Sequence, residues 1–284
     1  MRHWILSSLL ISSCAGILLP AQSRPAERTI FSDEFSGREL DRSKWNTIVT
    51  GETVNDEQQA YVDSPETIAI VHEAAGADGG ALAIHTRYHR QFTTPEGRTF
   101  DFISGRLDTR SKFDFTYGTA AARVKLTAGP GLWPAFWALG NGNWPETGEM
   151  DILENVGDPA WINFALHGPK YSGDKGLAKR KYFVAPDDIT AWHVYSMRWT
   201  KTALVFLVDD REEYRMTRAA VERHGRWAYD NPKFLIVNQA IGGGYPQAVN
   251  RVTAPYKGLP QPTVDLIKDG KAVMLVDWVR VTKS

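Results

Sequence analysis

Hydrophobic and polar residues alternate with a period of two along much of the chain, which is the period of a β-strand. Tyr195, Met197 and Trp199 share one face of such a segment, residues 201–202 can turn the chain, and a second apolar strand follows from Leu204. The C-terminal stretch AVMLVDWVRV has the composition of another strand. These segments predict neighbouring antiparallel strands.

The stretch SKFDFTYGTAAARVKL predicts two further strands, because apolar residues alternate with polar ones over 113–117 and again over 122–126. The best helix candidate, residues 217–224, is short. Residues 24–284 contain no tandem repeat, low-complexity run or linker, so we expect a single domain. Short strands separated by Gly, Pro, Asp and Asn predict an all-β fold, an antiparallel sandwich or jelly roll.

Charge and cysteine content narrow the functional classes. The 284 residues include 33 basic and 33 acidic side chains, so the formal net charge is zero and does not favour nucleic acid or an anionic membrane as partner. Ten tryptophans are many for this length, and their flat faces suit both cores and apolar ligand faces. The only cysteine is Cys14, so the mature domain is expected to contain no disulfide.

Residues 1–23 have the form of an export signal. A basic start is followed by an apolar run too short to span a bilayer, and 21–23, Ala-Gln-Ser, have the small-x-small pattern of a cleavage site. Residues 11–14 resemble a bacterial lipobox, so lipidation of Cys14 is the alternative. Because the apolar run continues past Cys14, we favour ordinary cleavage. The expected location is periplasmic or extracellular, with no membrane span.

Three carboxylates are crowded into GEMDILENVG: Glu149, Asp151 and Glu154. On a helix they share no narrow face, and on a regular strand Glu154 points away from the other two. One inserted residue around 152–153, a β-bulge, would return Glu154 to their side. Two glutamates so placed could approach the roughly 5 to 5.5 Å separation of a retaining glycosidase.

This arrangement suggests a nucleophile, an acid/base and a helper. Glu149 would attack the anomeric carbon, Glu154 would protonate the leaving oxygen, and Asp151 would hydrogen-bond one or both and keep Glu154 protonated. A solvated strand face or a calcium site of three acids remains an alternative at this point.

Three tryptophans precede the acids in GLWPAFWALGNGNWPETGE. Trp133 and Trp144 are flanked by Gly, Pro and Asn, which is typical of loops at a cleft rim, so we expect them to contact sugar rings. Trp137 follows Phe136 in an apolar run and is expected in the core.

The motif GEMDILE is similar to the E-x-D-x-x-E signature of glycoside hydrolase family sixteen in its bulged form. The resemblance is greatest to bacterial laminarinases, which are endo-β-1,3-glucanases. It extends in order through FSDEFSGRELDRSKW, NDEQQAYVDSPETIAI, SGRLDTRSKFDFTYGTAAARVKL, GLWPAFWALG, LHGPKYSG, FLIVNQAIGGGYP and MLVDWVRV. It implies a β-jelly roll of two antiparallel sheets with a concave cleft, and the nucleophile, helper and acid/base roles given above.

The resemblance also implies substrate-binding residues. Asn55 and Arg106 match positions on the glycone side, His167 matches one on the leaving-group side, and Asn238 matches another cleft position. A surface ion pair is the alternative for Arg106, and a structural role is the alternative for His167.

The resemblance further implies a structural calcium on the convex face, with oxygens near Glu34 and Gly80 and the carboxylate of Asp277. A hydrogen bond to a buried Asp277 is the alternative. No cofactor is expected to be required for catalysis.

The loop after His167 departs from the family pattern because it is basic. This raises the possibility of a charged or modified glycan, against the alternative of a solvated loop. The cations are Lys170, Lys175, Lys179, Arg180 and Lys181.

Taken together, the sequence predicts an exported, monomeric, endo-acting retaining β-1,3-glucanase with a polysaccharide as partner. The alternatives are the same chemistry on mixed-linkage β-glucan or β-galactan, a transglycosylase, and a carbohydrate-binding jelly roll without turnover. The joint presence of Glu149 and Glu154 argues against the last of these.

Overall fold

Two antiparallel β-sheets make up most of the molecule, described over residues 27–283 by a computed structural model. The proposed export signal and Cys14 lie outside the described residues. The strands are β1 Arg28–Asp33, β2 Asn46–Thr47, β3 Gln59–Tyr61, β4 Ile68–Val71, β5 Ala81–His85, β6 Arg87–Thr93, β7 Thr99–Ser104, β8 Arg106–Asp108, β9 Gly118–Lys125, β10 Leu132–Gly140, β11 Glu149–Glu154, β12 Trp161–His167, β13 Lys179–Tyr182, β14 His193–Trp199, β15 Ala203–Val208, β16 Arg211–Thr217, β17 Lys233–Ile241 and β18 Val273–Lys283.

Helices are few and short in the described chain. They are α1 Arg218–Glu222, α2 Gly244–Asn250 and α3 Gln261–Lys268, with one 3-10 turn at Gly173–Lys175. Within residues 27–283, the helices all fall short of the length and apolarity that a membrane crossing needs.

The sheet order brings distant segments together. One sheet has seven strands in the order β13-β12-β11-β10-β17-β8-β2, and the other has eight, with β16-β15-β14-β9-β18-β5-β4 in line and β1 paired to β18. A three-stranded sheet, β3-β7-β6, lies beside them. The predicted all-β jelly roll is confirmed.

The core lies between the two large sheets, as the period-two pattern requires. Tyr195, Met197 and Trp199 are buried on the inner face of β14, as predicted. Across the core, the Phe206 ring of β15 lies 5.2 Å from the Phe164 ring of β12. The inner faces of the two sheets are therefore apolar, which leaves the outer face of the seven-stranded sheet for polar side chains.

Two local predictions fail. Residues 113–117 form no strand, because Tyr117 adopts a φ of 60° and β9 begins only at Gly118. Phe113 and Phe115 instead stack on each other from a loop, with ring centroids 5.9 Å apart. The sequence reading also missed α2 and α3, while the short predicted helix near 217–224 is confirmed as α1, with Thr217 as its N-cap.

Candidate active site

A β-bulge in β11 brings the three acids to one face. In the pairing with β12, Asp151 lies opposite Ala165 and Glu154 opposite Asn163, so three steps along β11 match two along β12. Ile152 and Leu153, the residues between, are both fully buried in the core. The predicted bulge is therefore confirmed, and it turns Glu149, Asp151 and Glu154 together to the outer face.

A straight row of residues crosses the outer face of the seven-stranded sheet and passes through Glu154. Strand register sets the row, because residues directly opposite each other in a sheet point to the same face. The row has an arginine near each end and Glu154 between them. In order, its members are Arg106, Asn238, Ala135, Glu154, Asn163 and Arg180.

Each glutamate accepts a hydrogen bond from a tryptophan. The Trp133 indole nitrogen donates to Glu154 Oε1 at 3.0 Å, and the Trp144 indole nitrogen donates to Glu149 Oε2 at 2.9 Å. Trp144 lies in the loop before β11 and is half exposed, as predicted for a rim residue. Trp133 also lies beside the acids, but it is mostly buried within β10. The prediction that Trp133 lies in a loop is therefore wrong.

His167, at the end of β12, bridges two of the acids. Its Nε2 lies 3.3 Å from Asp151 Oδ2 and 3.7 Å from Glu149 Oε1. Burial lowers the pKa of His167, but the hydrogen bond to Asp151 and the charges of all three acids outweigh burial and raise the pKa to about 9. A cationic imidazole therefore offsets part of the negative charge of the cluster at neutral pH.

The two glutamates compete for protons. Burial, with the charge of Asp151, raises the pKa of Glu149 to about 8 and that of Glu154 to about 7. Because they repel each other as anions, the pair holds one proton between these two values. The two carboxyl groups titrate as a pair, so the roles of the two glutamates must be assigned from position rather than from pKa.

Arg106, Asn238 and Trp137 form a polar cluster on the β10 side of the acids. Asn238 accepts from the Trp137 indole nitrogen at 2.8 Å and donates to the Tyr61 hydroxyl at 3.1 Å. The Arg106 guanidinium stands 5.1 Å from the Trp137 ring. The expectation that Trp137 is a core residue is wrong, because Phe136 and Ala138 take the inward positions of β10 and leave Trp137 on the outer face.

The remaining predicted position, Asn55, lies in the loop before β3. Its side chain is exposed, and its backbone oxygen accepts from the Gly244 amide at 2.7 Å, which ties its loop to α2. The sequence reading missed Asn163, which donates to Glu154 Oε2 at 3.0 Å. The sequence contains the information needed to find it, because Asn163 and His167 are four residues apart on β12 and so point to the same face of the sheet.

Two of the three residues expected to hold calcium, Asp277 and Glu34, pair with arginines in this structure, which does not suit a cation. Asp277 is buried, and its carboxylate accepts from Arg123 Nη1 at 2.6 Å and from the Asp78 amide at 2.8 Å. Glu34 forms a two-bond pair with Arg280. The same Arg123 Nη1 also donates to the Gly76 oxygen at 2.7 Å. A guanidinium thus occupies the Asp277 carboxylate that a Ca²⁺ would use and ties it to a loop carbonyl.

Arg123→Met should therefore destabilise the protein by about 3 kcal/mol, since it leaves the Asp277 carboxylate buried without its cation. Thermal unfolding should show no change in wild-type Tm with EDTA or Ca²⁺, a lower Tm in the variant, and partial recovery of the variant with Ca²⁺. Arg215→Met is the matched control, because its pair with Glu212 is exposed. A wild-type Tm that falls in EDTA and recovers with Ca²⁺ would refute this account.

Among residues 27–283, one group of three side chains could hold a metal ion: Glu149, Asp151 and His167. Their ligand atoms lie within 4.8 Å of one another. At neutral pH the proton on His167 occupies the nitrogen that a metal would need, so the group is better described as a charge-balanced acid cluster.

A jelly roll with paired glutamates beside indole groups defines a class, the glycosidases. The family model of "Glycosyl hydrolases family 16" matches residues 42–256, and the chain belongs to this family. A curated relative, "Beta-glucanase" of Rhodothermus marinus, is 32% identical over 90% of this chain and 85% of the relative.

Two further comparisons bear on substrate. The endo-β-1,3-glucanase structure from Pyrococcus furiosus aligns with a TM-score of 0.76 and 32% identity, covering 90% of this chain and 94% of that one. A "Keratan-sulfate endo-1,4-beta-galactosidase" of Sphingobacterium multivorum is 28% identical over 89% of this chain and 54% of the relative. The chain is therefore similar both to hydrolases named for β-glucans and to one named for keratan sulfate.

Proposed function

We propose that this protein is an exported, endo-acting, retaining β-1,3-glucanase. The observation that carries the proposal is the bulge in β11, which sets Glu149 and Glu154 on one face with an indole donor on each. A paired acid and nucleophile beside flat aromatic rings suits cleavage of a glycosidic bond.

In the proposed mechanism, ionised Glu149 attacks the anomeric carbon while Glu154 gives its proton to the departing glycosidic oxygen. The carbon–oxygen bond breaks, the shortened glucan leaves as an alcohol, and a glycosyl ester forms on Glu149. Glu154, now ionised, takes a proton from water, whose oxygen attacks the same carbon and releases Glu149 as a carboxylate. Two inversions give net retention.

Position supports this assignment of roles. Glu149 lies 3.7 Å from the cationic His167, which favours its ionised form when substrate is bound. Asp151 lies between the two glutamates, next to His167, and its charge raises the pKa of both. The indole of Trp133 and the amide of Asn163 each donate to Glu154, which fixes the direction from which the proton is delivered.

Other features support the finer parts of the proposal. The similar Rhodothermus and Pyrococcus proteins are named as glucanases, the latter for β-1,3 linkages. Residues 1–23 have the form of an export signal, and we include export, with ordinary cleavage rather than lipidation at Cys14, on that basis. We expect a monomer that binds polysaccharide across the seven-stranded sheet.

The pH dependence of activity should be bell-shaped. Below about pH 7 both glutamates bind protons and no nucleophile is available, whereas above about pH 8 the pair loses its last proton and no acid is available. We therefore expect kcat/KM on laminarin to be highest between about pH 7 and 8 and to fall on both sides. A value of kcat/KM that keeps rising to pH 10 would contradict the shared proton.

The proposal is tested by reducing-sugar release from laminarin, curdlan, lichenan, galactan and agarose. Release from laminarin and curdlan alone supports β-1,3 specificity. Release from lichenan as well would indicate a mixed-linkage enzyme, and release from galactan alone would favour the galactosidase-like alternative that the Sphingobacterium relative raises. Binding without release from any of these would overturn the hydrolase proposal.

A further inference from the structure

Arg180 lies at the β13 end of the residue row that passes through Glu154. It is opposite Asn163, which in turn is opposite Glu154, so Arg180 and Glu154 are two strands apart on the same face. At about 4.8 Å between strands, their Cα atoms are about 10 Å apart. The Arg180 guanidinium lies 3.9 Å from the centroid of the Trp161 ring, which fixes it against the sheet.

The direction of Arg180 follows from its neighbours on β13. Lys181 pairs with Glu213 of β16 at 3.2 Å, so the odd residues of β13 point toward the other large sheet. Arg180 therefore points to the outer face, where the acids lie.

The positive charge around Arg180 is not neutralised by ion pairs. In residues 27–283, no carboxylate oxygen lies within 4.0 Å of the charged nitrogens of four exposed cations. These cations are Lys170, Lys175, Lys179 and Arg180. The loop between β12 and β13 also packs on the acid cluster, because a Cβ on Gly176 would lie only 2.5 Å from Cε1 of His167.

We infer that Arg180 selects glycans that carry an anionic group, a carboxylate or a sulfate ester, on the sugars of the leaving group. The inference rests on the proposed function, in which Glu154 protonates the leaving oxygen. Strands β12 and β13 lie on the opposite side of Glu154 from Arg106, the residue matched to the glycone side. A guanidinium offers a planar pair of N–H donors that matches either anion, and its stacking on Trp161 holds that pair in place.

The experiment compares kcat/KM on laminarin with kcat/KM on lightly sulfated and lightly carboxymethylated laminarin of the same length. We expect the wild type to prefer the anionic forms, and Arg180→Gln to lower the ratio of anionic to neutral kcat/KM about fivefold. The preference should weaken as salt is raised from 20 to 300 mM, a range we choose to shorten the Debye length. The sulfated and carboxymethylated arms show which anion is preferred.

Lys179→Gln is the matched control, because it removes one positive charge from the adjacent position on the opposite face of β13. It should leave the ratio unchanged. The inference would be overturned by an equal loss in both variants, which would mean a general effect of net charge, and equally by an unchanged ratio in Arg180→Gln.

Binding separates this inference from the proposed function. Affinity electrophoresis of Glu149→Gln and of Glu149→Gln/Arg180→Gln in gels containing the three polysaccharides measures anion selection without turnover. If the wild type hydrolyses none of them, the proposed function fails. The inference is then supported only if Glu149→Gln/Arg180→Gln is retained less than Glu149→Gln by the two anionic gels and equally by the laminarin gel.

Discussion

Glu149→Gln should abolish hydrolysis of laminarin, with kcat lowered by about 10⁴-fold or more. The amide keeps the shape of the side chain, and its oxygen can still accept the hydrogen bond from the Trp144 indole, but it cannot form the glycosyl ester. The fold should be retained, since burial disfavours the Glu149 carboxylate and the neutral amide removes that cost. Initial rates and thermal unfolding of the purified variant measure the two effects.

Glu146→Gln is the control for this variant. Glu146 lies three residues earlier, is exposed, and pairs with Arg226 rather than with the acid cluster. Its activity should match the wild type. Laminarin hydrolysis by Glu149→Gln within tenfold of the wild-type rate would exclude Glu149 as the nucleophile.

Glu154→Gln should lower kcat on laminarin by about 10²- to 10⁴-fold, because the amide cannot give a proton to the leaving oxygen. On an aryl glycoside with a nitrophenolate leaving group, which needs little protonation, the first turnover should be nearly as fast as in the wild type. The following hydrolysis should be slow because the base is also lost. Azide should restore turnover, since it attacks without giving up a proton.

The contrast between these substrates is the decisive feature of the Glu154 variant. A burst of nitrophenolate equal to the enzyme concentration, followed by azide-dependent turnover, is the expected stopped-flow trace. Equal losses on laminarin and on the aryl glycoside would instead show that Glu154 supports the site without transferring a proton.

Much of the fold could be predicted from the sequence, because the residues that the period-two pattern places on one strand face are the residues that are buried. The alternation over 195–199 predicted the inner face of β14, and the apolar run from Leu204 predicted β15. The apolar residues that predicted both strands are buried. The stretch at 113–117 has the same alternation but forms a loop, since Tyr117 adopts a left-handed conformation that periodicity does not encode. Hydrophobic periodicity therefore cannot predict a strand boundary that is set by the conformation of a single residue.

The acids were also readable, because only a bulge gives their 149, 151, 154 spacing a common face. The residues that surround the acids are harder to predict from the sequence. Asn163 and Arg180 are brought beside Glu154 by the register of three strands, and register is set by long-range pairing rather than by neighbours in the chain. Likewise, the Arg123–Asp277 pair joins residues 154 apart in sequence, and no local signal marks it.

The most direct test of the account is the configuration of the first product. Laminarin hydrolysis followed by ¹H NMR within the first minutes, before mutarotation, distinguishes the two anomers at the new reducing end. Double displacement through Glu149 predicts that the β-anomer appears first and the α-anomer follows as the sugar equilibrates. An α-anomer released first would mean that water, not Glu149, attacks the anomeric carbon, and the shared face created by the bulge would need another explanation.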